Sequence, residues 1–355
     1  MLLCIVVLAL EFAALEAALR TYGGTEAGPG FQGLFMQDPR VGHRPRPGAR
    51  TRYTTVEFST EIAINAQGVR DDADLGAKAA NERRVLVLGD SLVFSVQVDL
   101  QQTFCKRLEA RLAAADPHHT WRVINGGVQG YGPVHEWLFY QTVGDALQPD
   151  VVLIVAFVGN DAVDANDTEP WIDAGGPPVS QSVDRAADRV RRLTRSSMVL
   201  QIARLRVDQL KAHFAGPAPE RPLASYLSDP PPAIAHGLQV TRRAFGLIAA
   251  LAAQRGARTA LVLMPARFQV DDADFGRLAV IVGQAGGTLV RDAASERFER
   301  ALAPLELPML DLLPVLASQP DRAGLFFERN VHLTPRGHEV VADALFQFMK
   351  QSGLE

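Results

Sequence analysis

Cysteine is scarce: 355 residues contain two, Cys4 and Cys105. No C-x-x-C pair or Cys/His cluster accompanies them. A zinc site therefore has no support, and the two read as buried thiols rather than a disulfide. Basic charge is not in excess either. Thirty-six Lys and Arg stand against 40 Asp and Glu, giving a net charge of −4, which argues against a phosphate-binding surface and a nucleic-acid partner. Also missing is an apolar run of about 20 residues, the length that spans a bilayer. The apolar stretch at 1–10 meets Glu11, resumes, meets Glu16 and closes at Arg20. Two readings of residues 1–22 stay open. One is a signal anchor, giving membrane association through residues 1–20 and an exported, periplasmic protein; the other is an amphipathic helix of a cytoplasmic one.

Against these absences stands ordinary globular composition, 47% hydrophobic and 21% charged, enough to bury a full core. Residues 23–82 read as an irregular lead, rich in Gly, Pro and Arg, with a β-rich patch (TRYTTVEFSTEIAI). From there the pattern alternates. Short apolar runs at 85–88, 121–124, 151–157, 259–264 and 309–312 read as buried strands. Segments at 103–115, 134–147, 236–254, 272–283 and 335–351 have helical spacing, the first carrying Phe104, Leu108 and Leu112 on one stripe. Strand-helix alternation is the signature of a parallel sheet covered on both sides. The expected unit is one α/β domain over 83–352, with an inserted helical segment at 165–235. That insertion opens on a polar loop at 164–178 and closes on a proline-rich break at 217–232. Between them a long arginine-rich helix is expected over 185–214, its charges read as a solvated face. No internal repeat is present.

Four places carry chemistry, all at ends of expected strands or in loops. Gly89-Asp90-Ser91 follows the first strand, where a serine projects into the crevice beyond the sheet's carboxyl edge. NGGVQGYG, at 125–132, follows the second; its glycines permit positive φ and a free amide, and it lacks the G-x-G-x-x-G order of a dinucleotide loop. Gly159-Asn160-Asp161 follows the third, with the Asn160 amide a neutral donor at the same rim. Near the C-terminus, NVHLTPRGH places Thr334 as a helix cap and Pro335 as the first helical residue, leaving His332 in the loop ahead; His338 falls inside the helix and reads as structural. Asp90 and Asp161 read as partners for loop backbone. Arg267 ends another strand, where a substrate anion and plain solvent are both open to it.

Together, RVLVLGDSLVF, NGGVQGYG, VAFVGND and NVHLTPRGH resemble the serine, glycine, asparagine and histidine blocks of the SGNH/GDSL hydrolase superfamily, in that order. INAQGVRDD also resembles a stretch found ahead of the serine block in bacterial members. The resemblance implies a three-layer α/β/α fold on a flavodoxin-like parallel sheet. It implies ester hydrolysis without metal or cofactor, with Ser91 as nucleophile and His332 as base. The implied oxyanion hole is the Ser91 amide, the Gly130 amide and the Asn160 side chain.

One position departs from the pattern. Relatives carry an aspartate two or three residues before the histidine, where this chain has Asn330 and Arg329. Asparagine can orient an imidazole but brings no charge. A Ser–His dyad oriented by Asn330, or by a carboxylate such as Glu328, is one reading; a weakened site kept for binding is another. The expected substrate is a small-molecule, glycan or lipid ester. An O-acyltransferase acting on an envelope polysaccharide and a non-catalytic binding module are the alternatives.

Overall fold

The computed structural model describes residues 10–17, 31, 33–178, 197, 199–200 and 221–355. Two antiparallel hairpins come first: Phe35–Asp38 (β1) with Gly42–Pro45 (β2), then Arg50–Thr54 (β3) with Ser59–Ala63 (β4). The part of the lead that read as irregular over 33–45 is thus a folded hairpin. Its polar sequence FMQD/GHRP lacks the alternation that would have announced it.

Five strands then build one parallel sheet: Glu82–Gly89 (β5), Thr120–Gly127 (β6), Val151–Phe157 (β7), Arg258–Met264 (β8) and Met309–Asp311 (β9). Their order is β6-β5-β7-β8-β9. Counted within the sheet this is 2-1-3-4-5, the flavodoxin-like arrangement, which reverses direction beside its first strand. Successive side chains of β5 point to opposite faces. Leu86 and Leu88 meet Val134, Leu138, Phe245, Ile248 and Phe298 on one side. Val85 and Val87 meet Leu108, Leu112, Leu316, Val341 and Leu345 on the other. Helices Pro133–Phe139, Pro232–Gln254 and Ala293–Leu302 form the first layer, and Phe104–Ala115, Leu313–Ala317 and Pro335–Gln351 the second. The three-layer α/β/α fold is as the sequence implied.

Several boundaries move for physical reasons. β6 runs on through Gly127 instead of stopping at 124, because its glycines pack against the serine turn. A Cβ on Gly127 would come within 2.5 Å of the Phe94 nitrogen. The expected helix at 134–147 is α-helical only over Pro133–Phe139 and continues as a wider turn, Tyr140–Gly144, and a tighter one, Asp145–Leu147. The expected polar loop at 164–178 is largely helical, with helices Asp161–Thr168 and Pro170–Ala174. Its helical signal was hidden because small residues do the packing: Ala162 and Ala165 are buried. Gly237 lets the Pro232–Gln254 helix come so close that a Cβ there would lie 1.6 Å from the Ala162 carbonyl oxygen.

The helix expected over 185–214 lies outside the described residues except at 197 and 199–200, and Cys4 and most of 1–22 lie outside them too. Cys105 is buried and unpaired. Among the described residues no helix is long and apolar enough to cross a membrane.

Candidate active site

β5, β6 and β7 end side by side at the point where the strand order reverses, so the loops after them share one crevice. Ser91 is the first residue of the short helix Ser91–Phe94, capped by Asp90, whose Oδ1 accepts from the Leu92 amide at 2.8 Å. Gly89 turns the chain with φ +157°; a Cβ there would meet Val93 Cγ2 at 2.4 Å. Behind the turn, fully buried Arg70 donates to the carbonyls of Phe94 (2.9 Å), Ser95 and Val98 (2.7 Å).

Gly130 sits in the next loop at φ +76°, with open space where a side chain would be. That loop is held by the first hairpin: His43 Nε2 bonds the Gln129 carbonyl at 2.9 Å, and the Tyr131 hydroxyl donates to the His43 carbonyl at 2.6 Å. Among the described residues, the Ser91 and Gly130 amides donate to no other group. Asn160 ends the third loop, and its carbonyl accepts from the amides of Val163 and Asp164. Its side-chain Nδ2 donates to Asp164 Oδ2 at 2.8 Å, which uses one of its two hydrogens.

The fourth loop brings His332 across. His332 Nε2 lies 2.8 Å from Ser91 Oγ, although 241 residues separate them in the chain. On the other side of the ring, Nδ1 lies 2.6 Å from Asn330 Oδ1. The same Oδ1 accepts from the His332 main-chain amide at 3.1 Å. A group that takes a backbone N–H must be the amide oxygen, so the ring nitrogen facing it carries the proton. Nε2 is then left with a lone pair toward Ser91. Asparagine here selects the same tautomer an aspartate would. Glu328, the other orienting group considered, is exposed and meets the site only through its carbonyl.

Arg267 faces neither substrate nor solvent. Its Nη1 donates to the carbonyls of Phe327 (2.8 Å) and Glu328, and its Nε lies 2.6 Å from Asp274 Oδ2. His338 is buried, stacks on Phe104 and accepts from the Phe104 amide at 3.2 Å, a structural role as read. Asp90 and Asp161 bond loop backbone as read, Asp161 accepting from the Phe157 amide at 2.8 Å.

The floor of the crevice is acidic and dry. Burial raises the Asp90 carboxyl to about 7 and, with Asp167 nearby, Asp164 to about 6. Glu136 and Asp161 are pushed well above the usual carboxylate range by burial and by their neighbours' charge. Both Glu136 oxygens and Asp161 Oδ1 lack a hydrogen-bond partner. Burial disfavours the charged form of all four, which weakens the floor's opposition to a negative oxygen forming above it.

Burial alone lowers the His332 pKa to about 4. A base must be neutral to work. If His332 is the base, kcat/KM stays flat through pH 6.5, the ordinary histidine value, and falls only as pH drops through about 4. A pH–rate profile with its acid limb between 6 and 7 would contradict this.

Residues 227–355, which hold the last two sheet strands and the histidine block, match the family "SGNH hydrolase-like domain, acetyltransferase AlgX". That match covers the last 129 of the 355 residues. Among solved structures, this chain is similar to TesA (14% identity, 76% of this chain and 99% of that one, TM-score 0.41). It is similar to a lipase/acylhydrolase from Enterococcus faecalis (12%, 76% and 96%, 0.42). An acetyl xylan esterase variant from Geobacillus stearothermophilus also aligns (13%, 75% and 94%, 0.41). No curated protein matches. Over 227–355 the family match supports acyl-hydrolase or acyltransferase-type chemistry at superfamily level, and no finer assignment.

Sequence reasoning missed Glu57, whose carboxylate touches the histidine loop from 272 and 273 positions away. No local signal marks it, because its partners are backbone amides.

Proposed function

We propose that the protein is a serine acyl hydrolase with Ser91 as nucleophile and His332 as general base. The 2.8 Å contact between His332 Nε2 and Ser91 Oγ, with Nδ1–H fixed by Asn330, carries the reading. Ser91 Oγ attacks the acyl carbonyl carbon while its proton passes to His332 Nε2. The carbonyl oxygen takes up the negative charge facing the free amides of Ser91 and Gly130 and the Asn160 Nδ2. Collapse expels the alcohol oxygen, which regains the proton from Nε2. Water then repeats the sequence on the acyl-enzyme and releases the acid. The cycle uses no metal or cofactor. The substrate is a carboxylic ester of a glycan, a lipid or a small molecule.

A second reading has support in the family matched by residues 227–355, which is described as an acetyltransferase. In that case a sugar hydroxyl replaces water in the second half of the cycle, at an envelope polysaccharide.

A fluorophosphonate probe tests the shared step. It is expected to label one site, and mass spectrometry of the digest is expected to place the adduct on Ser91, with none in Ser91→Ala. A folded, unlabelled wild-type protein would refute catalysis and leave the binding-module reading. An acyl donor supplied with an oligosaccharide acceptor then separates the two enzymes, since only a transferase yields acylated sugar in excess of free acid.

A further inference from the structure

Buried Phe326 and Leu333 pair at the base of the histidine loop, but its tip has little apolar anchorage. Arg329 is exposed, and Val331 is 58% exposed. It is held instead from two sides by charge. Arg267 takes the carbonyls of Phe327 and Glu328. Opposite it, the turn of the second hairpin presents Glu57. Glu57 Oε1 accepts from the Arg329 amide at 2.8 Å, and Oε2 from the Asn330 amide at 2.9 Å. The turn is itself fixed: Thr55 Oγ1 accepts from the amides of Glu57 (3.1 Å) and Phe58 (3.2 Å). The Phe58 ring sits 5.3 Å from that of Phe327, so the hairpin docks on the loop through an aromatic contact as well.

We propose that Glu57 is a positioning residue for the His332 base: by gripping the main chain at Arg329 and Asn330, it sets Asn330 Oδ1 where it takes the His332 Nδ1–H. The assignment rests on His332 acting as the base. An ionised carboxylate that receives two backbone amides at once makes charge-assisted bonds, roughly twice as strong as neutral ones. It fixes one peptide unit on each side of the Arg329 Cα, leaving Asn330 little freedom. Aspartate in the usual family position would act on the ring directly. Here the charge stands one residue back and acts through the chain.

The test compares fluorophosphonate labelling rates of the full-length wild type, Glu57→Ala, Asn330→Ala and the double variant. Glu57→Ala is expected to label about 10-fold more slowly, the loss of a charge-assisted bond, with thermal unfolding little changed. Because Glu57 acts through Asn330, adding Glu57→Ala to Asn330→Ala should cost no more than about twofold. Glu57→Gln, the same shape without the charge, is expected to lose rate in the same direction and serves if the alanine variant folds poorly. Wild-type rates in both Glu57 variants, or losses that multiply in the double variant, would overturn the proposal.

A readout independent of reactivity is the downfield proton resonance of His332 Nδ1–H, identified by its absence in His332→Ala. It is expected in the wild type and broadened or lost in Glu57→Ala; an unchanged signal would again overturn the proposal. A wild-type protein that shows this resonance but takes no probe would refute the hydrolase reading while leaving the positioning contact measurable.

Discussion

Replacing His332 by alanine is expected to lower kcat by about 10⁴–10⁶ and to leave KM within about threefold. In the proposed cycle the imidazole takes the serine proton and returns it to the leaving alcohol, so its loss would remove both transfers. Ser91 Oγ has no second base in reach: Nε2 at 2.8 Å is its one titratable partner among the described residues. The nearby acids do not substitute: Asp90 turns its Oδ1 to the Leu92 amide, and among the described residues no carboxylate bonds Ser91 Oγ. Asn330→Ala should cost far less, about 10–10² in kcat, the worth of one hydrogen bond to a group that becomes charged. Steady-state kinetics on a chromogenic acetyl ester measures both. Losses of equal size at the two positions would mean that Asn330 does more than orient the ring.

Asn160→Ala is the second large effect, about 10²–10³ in kcat with KM little changed. Its Nδ2 spends one hydrogen on Asp164 and has one left for a developing oxyanion. The donor is pre-aimed, because the Asn160 carbonyl is tied to the first turn of the Asp161–Thr168 helix. Gly237 seats that helix directly against the Pro232–Gln254 helix. Removing the side chain also strips Asp164 of a donor, which raises further a carboxyl already near 6. A loss carried by KM instead of kcat would place Asn160 in substrate binding and take it out of the oxyanion hole.

The sheet was legible because its strands are continuous apolar runs, and Val151–Phe157 was read to the residue. The helices that use long apolar side chains were legible too, as at Phe104, Leu108 and Leu112. The Asp161–Thr168 helix was not, since alanine and aspartate carry no helical stripe. The Ser91, Gly130, Asn160 and His332 positions could be picked out because each follows a strand or precedes a capped helix. Orientation could not be read. At Asn330 the sequence leaves an orienting role and a weakened site both open; in the fold its Oδ1 faces the ring Nδ1 of His332 and accepts from its main-chain amide. Arg267 and Glu57 bind backbone, and nothing in a sequence announces a backbone partner.

The contact between Ser91 and His332 spans 241 residues, and its consequence concerns the order in which the chain is made. The hairpins, the serine turn, the glycine loop and Asn160 all leave the ribosome well before residue 330. Domains fold as units, and the C-terminal helix shares one core with Val85 and Val87 of the serine strand. The crevice and its histidine are therefore completed together, when the last segment is released. On the proposed reading, Ser91 becomes reactive when that segment, from Asn330 to the C-terminal helix, docks onto the turn that carries Glu57. A premature stop before the C-terminal helix would remove part of the core and the histidine's support at once.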